Sequence, residues 1–242
     1  MIALKLAFIS DIHGNAHALE AVLEDIEQKR ADKIFVLGDL CFRGPEPQRA
    51  YEMVMALNTE VIKGNADEWV YRGVGMNEVP EKAYEMMNRE RDWTVSRMEQ
   101  NAVESLHQLP EEVKYEYGGI KIHGFHATPY SLFENVPPDS ENSKLKEKLM
   151  QEDADIYLYA HIHLPFIRTF DGKTFVNLGS VGLPFDGIAK ASYAMVEIGD
   201  HDYQVSNVRV SYDVQKTIGL FEASDYPNKD KLIDILTRAK ND

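Results

Sequence analysis

The 242-residue sequence carries a formal net charge of −14 at pH 7, and 44% of its side chains are apolar. This acidic balance excludes a general nucleic-acid binder, which needs a basic face, but it allows an anionic substrate where bound metal ions reverse the local charge. The one cysteine, Cys41, excludes an internal disulfide framework. No apolar run reaches the roughly 18–20 residues of a membrane span, and the amino terminus lacks signal-peptide features. We therefore expect one cytoplasmic domain over residues 1–242.

The amino-terminal part of the chain alternates predicted strands and helices. Apolar runs rich in β-formers predict strands over residues 5–10, 33–37 and 59–63. Apolar residues at helical spacing predict helices over residues 16–28 and 45–57. This order predicts a parallel sheet covered by helices, and such sheets bind ligands in the crevice beyond the carboxyl ends of their strands.

Residues 79–109 are polar and helix-forming in composition, so we predict a helical insert there, ended by Pro110. Beyond it, Gly118-Gly119 and Asp171-Gly172 indicate hairpin turns between short strands. The predicted strands cover residues 113–117, 120–123, 156–160, 166–170, 174–177, 192–198 and 203–210, and further helices cover 144–151 and 229–240. The predicted fold class is α/β (α+β): a four-layer αββα sandwich of two mixed sheets flanked by helices.

Five polar clusters follow predicted strands, and their side chains are typical metal ligands. Two aspartates, one asparagine and four histidines are available, which suits two transition-metal ions that share a bridging carboxylate. Mixed nitrogen and oxygen donors favour Mn, Fe, Zn, Ni or Co over Mg or Ca, and we expect Mn²⁺. The predicted metal ligands are Asp11, His13, Asp39, Asn65, His123, His161 and His163.

The order of these motifs resembles that of the calcineurin-like metallophosphoesterases, in particular the small bacterial and archaeal YfcE-like phosphodiesterases. The resemblance covers residue 4 to about 198, and its motifs are residues 11–15, 38–39, 64–67, 123–124, 160–165 and 177–182. It implies a dinuclear site on an αββα sandwich. In that site Asp11, His13 and His163 hold the first metal, and Asp39 bridges. Asn65, His123 and His161 hold the second metal.

This resemblance implies hydrolysis of a phosphoester by attack of a hydroxide that bridges the two metals. Arg43 falls where the protein-phosphatase branch of the superfamily has a phosphate-binding arginine. A guanidinium fork fits two phosphoryl oxygens, so we assign Arg43 a catalytic role beside Asp39.

One motif departs from the family pattern. The superfamily commonly has Gly-Asn-His, whose histidine assists the leaving group, whereas this chain has Gly64-Asn65-Ala66. Either the substrate has a good leaving group, or His126 reaches the site and serves as the acid. We include His126 among the catalytic residues, and we expect a phosphodiester in preference to a phosphomonoester.

Several alternatives stay open at this point. Within the same chemistry, the enzyme could be a dinucleoside-polyphosphate hydrolase or a protein phosphatase. From another class, the fold could serve as a catalytically weak scaffold or a nucleotide sensor. The expected partner is a small phosphorylated substrate, with nucleotides among the options. We expect the protein to bind neither a nucleic acid along its surface nor a membrane. The strand-rich second half or the helical insert offers a face for a homodimer. Residues 211–242 suggest no role beyond packing.

Overall fold

The structure is a computed structural model that describes residues 3–200 and 202–241. Within these residues the chain forms two five-stranded sheets with helices on their outer faces. The strands are β1 (Leu4–Ile9), β2 (Lys33–Val36), β3 (Glu60–Val61), β4 (Glu112–Tyr117), β5 (Ile120–Phe125), β6 (Ile156–Tyr159), β7 (Phe166–Phe170), β8 (Lys173–Asn177), β9 (Ala191–Ile198) and β10 (Tyr203–Val210). The helices are α1 (Ala16–Gln28), α2 (Pro47–Ala56), α3 (Asn65–Arg72), α4 (Glu81–Ser96), α5 (Gln100–His107), α6 (Asn142–Leu149), α7 (Val214–Ala223) and α8 (Lys229–Arg238).

The two sheets pack face to face, as the sequence predicts. The first sheet has the strand order β10-β9-β1-β2-β3, and the second has the order β4-β5-β6-β8-β7. Strands β1, β2 and β3 are parallel, whereas β9 runs antiparallel to β1. Buried apolar residues such as Phe8 and Phe35 meet Ile122 and Leu158 between the sheets. The predicted αββα sandwich is confirmed.

Helix α1 shows how the local sequence fixes an element beside the site. Its apolar residues Ala18, Leu19, Val22 and Ile26 recur at helical spacing, and they pack on the outer face of the first sheet. Asn15 caps the helix, because its side-chain oxygen accepts a hydrogen bond from the Ala18 N–H at 3.1 Å. The cap holds the helix start directly behind the loop that follows β1.

The insert predicted over residues 79–109 forms the two helices α4 and α5. Two further helices, α3 and α7, were not predicted. Helix α3 starts at Asn65, in a segment that resembles a turn, and packs against α4 and α5. None of the helices in the described part of the chain combines the length and the apolar character that a bilayer span requires.

Glycine at position 38 lets the loops after β2 and β3 touch. Gly38 has a φ of +91°, and a Cβ there would lie 2.3 Å from the backbone nitrogen of Gly64. We therefore expect Gly38→Ala to lower the free energy of unfolding by about 3 kcal/mol or more, measured by urea denaturation. Gly219→Ala is the control, because Gly219 lies in helix α7 with open space around it, and alanine there should stabilise by about 0.5–1 kcal/mol. A small loss at Gly38 would contradict this tight loop contact.

Candidate metal centre

Loops from both sheets converge on one cluster of polar side chains, which are buried except for the partly buried His161. Five of these residues have left-handed backbone φ angles between 48° and 66°. Such angles are strained for residues other than glycine, and they concentrate at functional sites. These five residues are Asp11, His13, Asp39, His161 and His163.

Asp11, His13 and His163 form the first ligand group. The Nε2 atoms of His13 and His163 lie 3.1 Å apart, and Asp11 Oδ1 lies 3.3 Å from His163 Nε2. The Nδ1–H of His13 donates to Phe42 O at 2.8 Å, and that of His163 donates to Leu183 O at 2.5 Å. These backbone bonds leave both Nε2 atoms with lone pairs that face each other.

This arrangement fits a cation. Two buried lone pairs at this distance repel each other, and Asp11 Oδ1 is also buried without a hydrogen-bond partner. A metal ion bound by these three atoms would remove the repulsion and satisfy the carboxylate. Histidines that donate one ring N–H to a backbone carbonyl and offer the other nitrogen are typical metal ligands.

The second group centres on Asn65. Its Oδ1 lies 2.9 Å from His126 Nε2 and 2.7 Å from His161 Nδ1, and His126 Nδ1–H donates to Leu37 O at 2.7 Å. Asp39 Oδ2 lies 3.5 Å from His126 Nε2 and 3.7 Å from His13 Nε2. Asp39 therefore lies between the two groups, where a shared carboxylate is needed.

The ionisation of these histidines agrees with a ligand role. Burial lowers the pKa of His13 to about 4, with a further contribution from His163. Burial together with His126 lowers the pKa of His161 to about 4, so both rings are neutral at pH 7. Burial also opposes charge on His126, but Asp39 outweighs it and raises the His126 pKa to about 9. Metal binding would replace this proton as the local positive charge.

Asp67 ties the loops of the centre together. Its carboxylate accepts hydrogen bonds from the backbone N–H groups of Asp39 at 2.7 Å, Leu40 at 2.9 Å and Gly64 at 2.9 Å. Burial raises the pKa of Asp67 to about 7, and the neighbouring Asp39 adds to the rise. On the other side, Ser180 Oγ donates to Asp11 O at 2.8 Å, so the loop after β8 supports the loop after β1.

The structure does not place His123 in this cluster, and the prediction that it lies with the other ligands is wrong. Its ring contacts Phe125 and Tyr157 on the outer side of the second sheet, and its Nε2 lies 2.8 Å from Glu112 Oε2. Strand β5 continues to Phe125, so His123 lies within the strand and His126 just beyond its end. His126 takes the place that was predicted for His123.

A cavity of about 320 Å³ opens above the cluster. The two predicted catalytic residues other than Asp39, which are Arg43 and His126, differ in their access to this cavity. Arg43 lines the cavity, with its Nε 3.3 Å from Glu90 Oε2. His126 is fully buried and does not line it. His126 thus lies within the ligand cluster and has no access to the cavity, whereas a leaving-group acid must reach the substrate there. Aromatic and apolar side chains also form the cavity wall: Phe42, Trp69, Met87, Phe133 and Phe185.

Comparison with known proteins identifies the family. Residues 4–201 match the calcineurin-like phosphoesterase superfamily domain. The chain belongs to this superfamily. It is therefore a hydrolase of phosphoester bonds in a metal-dependent family, and it carries candidate metal-ligand groups in the expected loops.

Three relatives illustrate the similarity. An uncharacterized protein of Methanocaldococcus jannaschii is 30% identical over 89% of this chain and 91% of its own length. Phosphodiesterase YfcE of Escherichia coli is 28% identical over 80% of this chain and 88% of its own length. The crystal structure of a metallophosphoesterase from Sphaerobacter thermophilus is 25% identical, with a TM-score of 0.79 over 98% of this chain and 99% of that chain.

Proposed function

We propose that this metallophosphoesterase hydrolyses small phosphodiesters and uses two divalent transition-metal ions, with Mn²⁺ as the expected metal. Asp11, His13 and His163 would hold one ion, and Asn65, His126 and His161 would hold the other. Asp39 would bridge them. The observation that carries this proposal is a pair of adjacent donor groups: the Nε2 atoms of His13 and His163 face each other in one, and Asn65 Oδ1 lies between His126 Nε2 and His161 Nδ1 in the other.

The described residues that line the cavity include no leaving-group acid at the position of Ala66, which favours diesters over alkyl monoesters. Ala66 presents only a methyl group to the cavity, while its backbone N–H donates to Asp39 Oδ1 at 2.8 Å. The carboxylate of Glu78, also in the wall, does not replace the acid. Burial favours its neutral form, but hydrogen bonds from Arg72, Trp69 and the Gly75 N–H outweigh this effect and lower its pKa, so it stays ionised.

The size and charge of the cavity favour a small substrate with one phosphate. A volume of about 320 Å³ lies at the lower end of the range for ligand cavities, about 300–1,000 Å³. Arg43 is the one cationic side chain other than histidine among the described residues that line it. A single arginine matches one phosphoryl group better than a polyphosphate chain, and the aromatic wall suits an apolar or flat substituent on the ester.

The chain's own residues would position the reactants. Bound dications would lower the pKa of a water molecule and neutralise charge on the phosphoryl oxygens. The carbonyls of Phe42 and Leu183 fix the ring orientation of His13 and His163, so the ligands are oriented before the substrate binds. Arg43 would hold a phosphoryl oxygen from the cavity wall.

A phosphoanhydride hydrolase is the second candidate. The leaving group of an anhydride also departs without help from an acid, so this reaction agrees with alanine at position 66. The single arginine of the cavity wall makes it less favoured than a diesterase. A scaffold without catalytic activity has no physical need for seven converging metal ligands, six of them buried. A protein phosphatase, the other alternative that the sequence leaves open, is disfavoured by the small cavity beneath the helical insert.

The test compares substrates on metal-stripped protein refilled with Mn²⁺. We expect kcat/KM for bis(p-nitrophenyl) phosphate to exceed that for glycerol 2-phosphate by more than about 100-fold, since general acid catalysis contributes about 10²–10⁴-fold to poor leaving groups. Ala66→His should raise turnover of the alkyl monoester by about tenfold or more. A wild-type preference for the monoester would overturn the proposal, and a preference for diadenosine tetraphosphate would select the second candidate.

A further inference from the structure

Glu90 is a buried carboxylate in the helical insert, outside the metal centre. It lies on α4, its side chain is fully buried, and α4 otherwise directs its acidic residues outward. One carboxylate oxygen lies 3.3 Å from Arg43 Nε, and the other accepts a hydrogen bond from Asn228 Nδ2 at 2.7 Å. Glu90 of the insert thus contacts Arg43, which lines the cavity, and Asn228 in the segment before α8 contacts Glu90.

Stability alone gives little reason to keep this pair. Burying a carboxylate and a guanidinium costs several kcal/mol per ion, and apolar residues of similar volume often stabilise as well or better. Arg43 also has a left-handed φ of 69°, which is unfavourable for arginine. The pair is therefore better explained by the position in which Glu90 holds the Arg43 guanidinium.

The geometry leaves the outer end of Arg43 available. Nε is buried beside Glu90, whereas the side chain as a whole is 17% exposed and lines the cavity above Asp39. Among residues 3–200 and 202–241, no acceptor forms a hydrogen bond with this guanidinium, so Nε meets Glu90 as an ion pair and the terminal nitrogens have no acceptor. A guanidinium anchored through Nε presents its two terminal N–H₂ groups as a fork, the arrangement that binds two phosphoryl oxygens.

We propose that Glu90 is a positioning residue that anchors Arg43 through Nε, so that its terminal nitrogens bind the phosphoryl oxygens of the substrate. This inference rests on the proposed phosphodiesterase function for its kinetic readout. It gives the helical insert a role in the reaction, because helix α4 supplies the anchor. Asn228 in turn orients Glu90 from the carboxy-terminal segment.

The test is a double-mutant cycle with Glu90→Gln, Arg43→Met and both substitutions together. We expect Glu90→Gln to lower kcat/KM for bis(p-nitrophenyl) phosphate by about tenfold to 100-fold, as small misplacements of binding groups do. In the Arg43→Met background, Glu90→Gln should change kcat/KM by less than about twofold, because its partner is already gone. Equal losses in both backgrounds would show that Glu90 does not act through Arg43 and would overturn the proposal.

A second readout works without turnover. Metal-stripped protein is titrated with inorganic phosphate by calorimetry, and Glu90→Gln should weaken binding about as much as Arg43→Met does. Unchanged phosphate affinity in Glu90→Gln would refute the positioning role even if the wild-type protein hydrolyses no ester. Failure of the positioning role can therefore be distinguished from failure of the proposed phosphodiesterase function. Thermal unfolding of each variant identifies loss of folding. Asn228→Ala, which leaves both charges in place, provides a milder variant with an expected smaller loss of affinity.

Discussion

His126→Ala is expected to lose one of the two metal ions and to lower kcat/KM by about 100-fold to 1,000-fold, the scale on which removal of a single electrostatic contact acts in an active site. The reason is geometric. His126 Nε2 lies 2.9 Å from Asn65 Oδ1 and 3.5 Å from Asp39 Oδ2, and its other ring nitrogen is fixed by Leu37 O. Bound manganese per chain and steady-state kinetics measure the two losses.

His123→Ala is the matched control, because the two histidines are three residues apart and equally buried. His123 bonds to Glu112 on the outer side of the sheet, so its removal should leave metal content at the wild-type value and kcat/KM within about threefold of wild type. Thermal unfolding of both variants separates loss of metal from loss of fold. If His123→Ala lost a metal and His126→Ala kept both, this ligand assignment would be wrong.

Asp67→Ala is expected to produce the largest loss of stability. The substitution leaves three buried backbone N–H groups without an acceptor, those of Asp39, Leu40 and Gly64. Each unsatisfied group costs about 1–3 kcal/mol, so we expect the free energy of unfolding to fall by about 3–9 kcal/mol. Urea denaturation of the metal-stripped protein measures this change without a contribution from the ions.

Two variants sharpen this test. Asp67→Asn keeps one side-chain oxygen as an acceptor, so about half of the loss is expected. Asp139→Ala removes an exposed aspartate from a loop and should change stability by less than about 0.5 kcal/mol. A loss below about 1 kcal/mol in Asp67→Ala would show that Asp67 does not hold the two loops together.

Much of the fold is predictable because its elements have strong local patterns. The predicted bounds of α1, β7 and β10 agree with the structure, since each has clear apolar periodicity or a clear turn beside it. Helix α3 was missed because Gly64 and Asn65 resemble a turn, although Asp67 accepts the N–H of Gly64 in a cap. Helix α7 contains Gly219, which weakens its helical pattern, and packing of Ile218 and Phe221 compensates.

The site was predictable to the extent that its ligands follow strands. Asp11, Asp39 and Asn65 lie at the carboxyl ends of parallel strands, so topology alone brings them together. The choice between His123 and His126 depends on where β5 ends, and strand ends are poorly marked in sequence. The pair of Glu90 and Arg43 joins residues 47 positions apart through tertiary packing, which no local pattern indicates.

The number of manganese ions bound per chain tests the central claim most directly. Metal-stripped protein is refilled with Mn²⁺, passed through a desalting column and analysed by inductively coupled plasma mass spectrometry. The dinuclear account predicts about two manganese ions per chain, since Asp39 Oδ2 lies between His13 of one donor group and His126 of the other. One ion per chain, or none that survives desalting, would contradict it.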